Sequence, residues 1–73
     1  MRAIYTVEYE ECFLAISKPL GRIMREIINL QEKTGRALQD TTHSIAQRLR
    51  NLPPEHSDMF ALGARFIIVH REQ

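Results

Sequence analysis

The middle of the chain carries a helical pattern of apolar positions. From Phe13 to Leu52 an apolar or small residue returns roughly every 3.5 positions, which is the spacing of one helix face. The residues of this stripe are Phe13, Ile16, Leu20, Ile23, Ile27, Leu30, Thr34, Leu38, Thr41, Ile45, Leu49 and Leu52. More than half of the 73 residues therefore belong to a region with one helical side to bury.

The predicted helical middle, residues 19 to 52, is too long for one helix in a small domain. An unbroken helix from Leu20 to Leu52 would be about 50 Å long, whereas a compact chain of this size is about 30 Å across. We expect a break near Gly35, which suits a left-handed C-cap, or near Asp40, where capping residues cluster. A continuous helix covered by a second subunit is the alternative.

The two ends of the chain have the alternation and the β-branched residues typical of strands. We predict strands over residues 2 to 9 and 64 to 71. Residues 10 to 18 fit either a short helix or a second strand, and the lack of Gly, Asn or Asp after Tyr9 favours the helix. Asp58 is predicted to cap one helical turn that Gly63 closes.

These elements predict a single α+β domain, residues 1 to 73, in the order β-α-α-β. Two strands are too few for a stable sheet, and a single cysteine, Cys12, cannot form an intrachain disulfide. We therefore predict a homodimer in which the two terminal strands of each copy pair antiparallel and continue across a two-fold axis as a shared sheet.

Composition says little about the cellular location of the protein or the kind of partner that it binds. No apolar run approaches the roughly 18 residues that span a bilayer, and three glutamates fall where the apolar core of a secretory signal would be. A cytoplasmic protein that does not enter membranes is the expectation. The formal net charge of +1 favours neither a nucleic acid nor a membrane surface as partner.

Two charged surfaces are candidate sites for a partner. On a helical wheel the basic ridge lies opposite the apolar stripe and consists of Arg22, Arg25, Asn29, Lys33 and Arg36. The acidic segment consists of Glu8, Glu10 and Glu11. An ordinary solvated surface is the plain interpretation of the ridge, and an acidic protein or a nucleic acid could also bind it.

The chain offers little that points to catalysis or to a bound cofactor. It has no phosphate-binding glycine loop, and Cys12, His43, His56 and His70 match no zinc-ligand spacing. We expect no metal, no cofactor and no catalytic residue. The cluster of His70, Arg71 and Glu72 at the end of a predicted strand is the one suited to acid-base chemistry.

Three parts of the chain are similar to parts of one known family: a strand over Tyr5 to Tyr9, Pro19 followed by Arg22 to Leu30, and a closing strand over Ile68 to Glu72. Together these parts resemble the RelE/ParE superfamily of toxins. The resemblance covers about half of the chain. It implies a ribosome-dependent nuclease, with His70 and Arg71 as catalytic residues, or a gyrase-directed toxin. Residues 35 to 62 depart from it, because they are predicted as helix and loop where that family has further strands.

The predicted function is that of a small, non-enzymatic regulator, inhibitor or adaptor that binds another protein, of the kind common in phages and mobile elements. So short a chain has few residues left to line a substrate pocket. Nucleic-acid binding through the basic ridge is the second hypothesis, and a RelE/ParE-like toxin is the third.

Overall fold

The computed structural model describes residues 2 to 73 and has four strands and two helices in the order β-β-α-α-β-β. The elements are β1 (Tyr5–Tyr9), β2 (Cys12–Lys18), α1 (Leu20–Thr34), α2 (Thr42–Asn51), β3 (Ser57–Leu62) and β4 (Arg65–Arg71). The predicted α+β class and the strands at both ends are confirmed. The prediction that strands lie only at the ends is wrong, because β2 and β3 are additional.

Residues 12 to 18 form a strand, not the favoured helix. The turn between β1 and β2 has positive φ at both Glu10 (50°) and Glu11 (65°), which is the backbone that a type I′ hairpin turn requires. Asn and Gly usually fill these positions, so Glu10 and Glu11 carry no turn signal. The pairing of β2 with β1 shifts register twice between Tyr5 and Glu8, and these irregularities bend the edge strand.

Residues 58 to 62 also form a strand in place of the predicted helical turn. Phe60 and Leu62 are buried while Met59 is exposed, which is the alternation of a half-buried strand. Gly63 has a φ of 57° in the turn that follows. A Cβ there would lie 3.2 Å from the Cβ of Arg36, so close packing as well as the positive φ favours glycine.

The strand order is β2-β1-β4-β3, and every neighbouring pair is antiparallel. The terminal strands β1 and β4 are the central pair, with Val7 opposite Val69. One chain therefore builds a four-stranded sheet by itself. This removes the reason for which a homodimer with a shared sheet was predicted.

The predicted break in the helical middle is confirmed, with α1 and α2 as separate helices. Gly35 ends α1 in the left-handed conformation, and its N–H donates to the carbonyl of Gln31 at 3.0 Å. Thr41 begins α2 as the N-cap, and its hydroxyl accepts from the N–H of Ser44 at 3.1 Å. Neither helix in the described part of the chain is long and apolar enough to cross a bilayer.

Both helices pack on one face of the sheet and form a single core with it. The buried apolar residues are Tyr5, Val7, Tyr9, Ala15, Ile23, Ile27, Leu30, Ile45, Leu49, Phe60, Leu62, Ile67 and Val69. The hydroxyl of Tyr5 donates to the carbonyl of Leu49 at 2.8 Å and ties the sheet to α2. The other face of the sheet has no helix over it.

Candidate functional site: the open face of the sheet

Alternate residues of each strand point away from the helices and together form what we call the open face. Glu8 is in register with Phe13 on one side and Ile68 on the other, and Ile68 is in register with Met59. A second row runs through Thr6, His70 and Ser57. The open face comprises Thr6, Glu8, Phe13, Ile16, Ser17, Ser57, Met59, Ala61, Phe66, Ile68 and His70.

Large apolar side chains are concentrated on the open face and exposed there. Among the described residues, five large hydrophobic side chains are exposed, and four of them lie on this face: Phe13 (59%), Ile16 (58%), Met59 (50%) and Phe66 (52%). The fifth, Ile28, lies on α1. Scattered exposed apolar residues are ordinary, but a group on one surface marks an interaction site.

A polar chain of three side chains crosses the middle of the open face. Nε2 of His70 lies 2.9 Å from Oε1 of Glu8, and Nδ1 of His70 lies 2.7 Å from Oγ of Ser57. In the neutral ring that fits both contacts, Nε2–H donates to the carboxylate and Nδ1 accepts from the hydroxyl. These two contacts fix the orientation of Glu8 and His70 on the surface.

A second carboxylate is fixed at the edge of the same surface. The hydroxyls of Thr6 and Ser17 donate to the two oxygens of Glu72, with 2.8 Å from Ser17 Oγ to Oε1. Thr6 also accepts from the N–H of Ser17 at 3.0 Å. The hydrogen bond from Thr6, followed by that from Ser17, lowers the pKa of Glu72.

Ser57, His70 and Glu8 are also the residue types of a nucleophile, a base and an orienting acid. Acyl transfer further requires donors for the oxyanion and a site that excludes water. The nearby N–H groups of Glu55, His56 and Arg71 already donate to backbone carbonyls, and the His70 side chain is 38% exposed. These contacts therefore position Glu8 and His70 on an exposed surface, and these three N–H groups are not free to bind an oxyanion.

The open face carries negative charge. Glu8 lies on it and Glu72 at its edge, whereas the cations within the strands are in register with residues that face the helices. Lys18 and Arg71 pair with Tyr5, and Arg65 pairs with Leu62. No strand residue that we place on this face is a lysine or an arginine.

The predicted basic ridge is present only in part. Arg22, Arg25, Asn29 and Lys33 are exposed on α1, opposite its buried side. Arg36 lies beyond the end of the helix, and its guanidinium donates to the hydroxyl of Tyr9 and to Glu10. The carboxylate of Glu10, followed by the hydroxyl of Tyr9, raises the pKa of Arg36.

The predicted acidic segment is divided between two places. Glu8 lies on the open face and contacts His70, whereas Glu10 and Glu11 lie in the β1–β2 turn. Glu10 forms ion pairs with Arg36 at 3.2 Å and with Arg65 at 3.5 Å, while Glu11 is exposed. The three glutamates therefore do not form one surface.

Sequence reasoning missed the open face itself. Its apolar residues come from β2, β3 and β4, and Phe13 and Ile16 had been assigned to the helical stripe. The sequence signal for this face is that residues 10 to 18 also fit a strand. In the part of the chain that the structure describes, no group of three His, Cys, Asp or Glu side chains is arranged to hold a metal ion.

Comparison with known proteins gives no relative for this chain. No family model, no curated protein and no solved structure matches it.

Proposed function

We propose that the protein acts by binding another protein through the open face, as a non-enzymatic regulator, inhibitor or adaptor within the cytoplasm. The observation that carries this proposal is the concentration of Phe13, Ile16, Met59 and Phe66 on the one sheet face that no helix covers. Contact with a partner would remove these side chains from water, at about 25 cal/mol for each Å² of apolar surface buried.

A nucleic acid is the competing partner for such a surface. Two exposed phenylalanines on an open four-stranded sheet resemble the stacking platforms on which RNA-binding sheets hold bases. Those surfaces also need cations for the phosphates. The carboxylates of Glu8 and Glu72 lie here instead, whereas Lys18, Arg65 and Arg71 are in register with residues that face the helices. This distribution of charge favours a protein.

The experiment that tests the proposal is affinity capture from cells that naturally produce the protein. We expect the wild type to capture a protein in stoichiometric amount, and Phe13→Thr with Phe66→Thr to lose it. Threonine keeps the strand propensity of both positions and removes their apolar area. The matched control is Ile28→Thr, which removes an exposed apolar side chain from α1 and should leave capture unchanged.

The second arm of the experiment separates the open face from the basic ridge. Arg25→Glu with Lys33→Glu reverses two exposed charges on α1, on the other side of the molecule. Capture through the open face should survive this change, nuclease treatment and raised salt. Loss of the captured molecule with nuclease, or with the ridge variant but not with the phenylalanine variant, would replace this proposal with nucleic-acid binding.

A further inference from the structure

We propose that the partner segment bound by the open face is apolar and cationic, and that one of its arginine or lysine side chains pairs with Glu8. This inference rests on the proposed function and names the chemistry of the partner. It depends on how Glu8 is held and on the signs of the charges around it.

The carboxylate of Glu8 is positioned to bind a cation from outside the chain. Its Oε1 lies 2.9 Å from Nε2 of His70, while no hydrogen bond or ion pair within residues 2 to 73 engages its Oε2. The side chain is only 25% exposed and lies between Phe13 and Ile68 in the register. An arriving cation would therefore meet Glu8 inside an apolar surround, where charge-assisted hydrogen bonds are strong.

Glu72 adds a second negative charge that does not move. Two hydroxyl donors, Thr6 and Ser17, hold its carboxylate, and they lower its pKa. The exposed rings of Phe13 and Phe66 add the electron-rich faces over which guanidinium groups pack. Arginine fits this combination of carboxylates and aromatic rings.

The same charges make a second copy of this chain a poor occupant. Two open faces packed across a two-fold axis would bring the carboxylates of Glu8 and Glu72 from both copies into one interface. Like charges brought together in an interface oppose binding. A partner with the opposite charge has no such penalty.

Selection from a displayed library of random peptides of about 12 residues tests the inference. A helix of that length spans about 18 Å, which is close to the width of four strands spaced about 4.8 Å apart. We expect peptides selected on the wild type to be enriched in apolar residues together with arginine or lysine. The selected peptides should bind Glu8→Gln about ten-fold more weakly.

The controls make failure of the inference distinguishable from failure of the proposed function. Glu32→Gln, which neutralises an exposed carboxylate on α1, should bind the same peptides as the wild type. Apolar peptides with no basic enrichment that depend on Phe13 and Phe66 would overturn the inference and leave the proposed function standing. Acidic peptides that depend on Phe13 and Phe66 would likewise overturn the inference alone, whereas selection of no peptide that depends on these two residues would overturn both.

Discussion

At the residue scale, Glu72 shows how an exposed charge becomes part of the fold. Its carboxylate accepts from the hydroxyls of Thr6 and Ser17, although the residue lies just beyond β4. Ser17 has a φ of 55°, a conformation that costs a non-glycine residue free energy. The two hydrogen bonds from Ser17, to Thr6 and to Glu72, offset that cost and keep the edge strand against β1.

The depressed pKa of Glu72 predicts a contribution to stability that depends on pH. A carboxyl whose folded pKa lies below its ordinary value of 4.5 stabilises the fold above that pH, and the contribution is lost as pH falls through the lower folded value. Glu72→Gln should therefore be less stable than the wild type at neutral pH, and the difference should shrink below about pH 4.5.

Thermal unfolding followed by circular dichroism between pH 3 and pH 7 measures this difference. Glu32→Gln is the matched control, because Glu32 is exposed on α1 and its curve should run parallel to that of the wild type. A curve for Glu72→Gln that also stays parallel over the whole range would contradict the prediction.

At the element scale, α2 begins at an N-cap within the cluster of capping residues near Asp40. Thr41 has extended backbone and its hydroxyl accepts from the N–H of Ser44, which would otherwise have no partner in the first turn. Thr41→Ala should destabilise the fold by about 1 kcal/mol and lower the melting temperature by about 4 to 8 °C. Thr42→Ala changes the neighbouring first helical position and should leave it nearly unchanged; equal losses in both variants would exclude the cap.

The helices could be predicted from the sequence because their signals are long and agree with one another. The apolar stripe, Gly35 and the capping residues near Asp40 all support two helices. The edge strands β2 and β3 were missed for a physical reason. Glu10 and Glu11 occupy a turn that normally contains Asn or Gly, and the segment from Asp58 to Gly63 carries the residues of a capped helix turn. In both segments, pairing with the neighbouring strand outweighs the local sequence preference.

Only the individual charged residues of the candidate site could be predicted from the sequence. A helical wheel identifies Arg22, Arg25 and Lys33 because they lie within one helix. Glu8 and His70 are separated by 62 positions, and they meet only because the terminal strands pair. An open face assembled from four strands has no local pattern in the sequence.

At the scale of the whole molecule, the two sides of the fold differ in charge. The helix side exposes Arg22, Arg25 and Lys33, and the open face carries Glu8 with Glu72 at its edge. A net charge of +1 conceals this separation. The apolar open face would favour self-association, and its carboxylates oppose it, so we expect solubility and the proposed choice of partner to depend on the same two residues.

This balance predicts how the molecule associates in solution. We expect the wild type to sediment as a monomer at micromolar concentration and neutral pH, and Glu8→Gln with Glu72→Gln to form dimers or larger species, because the repulsion is removed while the apolar side chains stay exposed. Sedimentation velocity over a concentration series measures this. Glu26→Gln with Glu32→Gln on α1 is the control and should stay monomeric. A wild-type dimer that survives Phe13→Thr with Phe66→Thr would contradict the prediction and would favour the homodimer with a sheet shared across a two-fold axis.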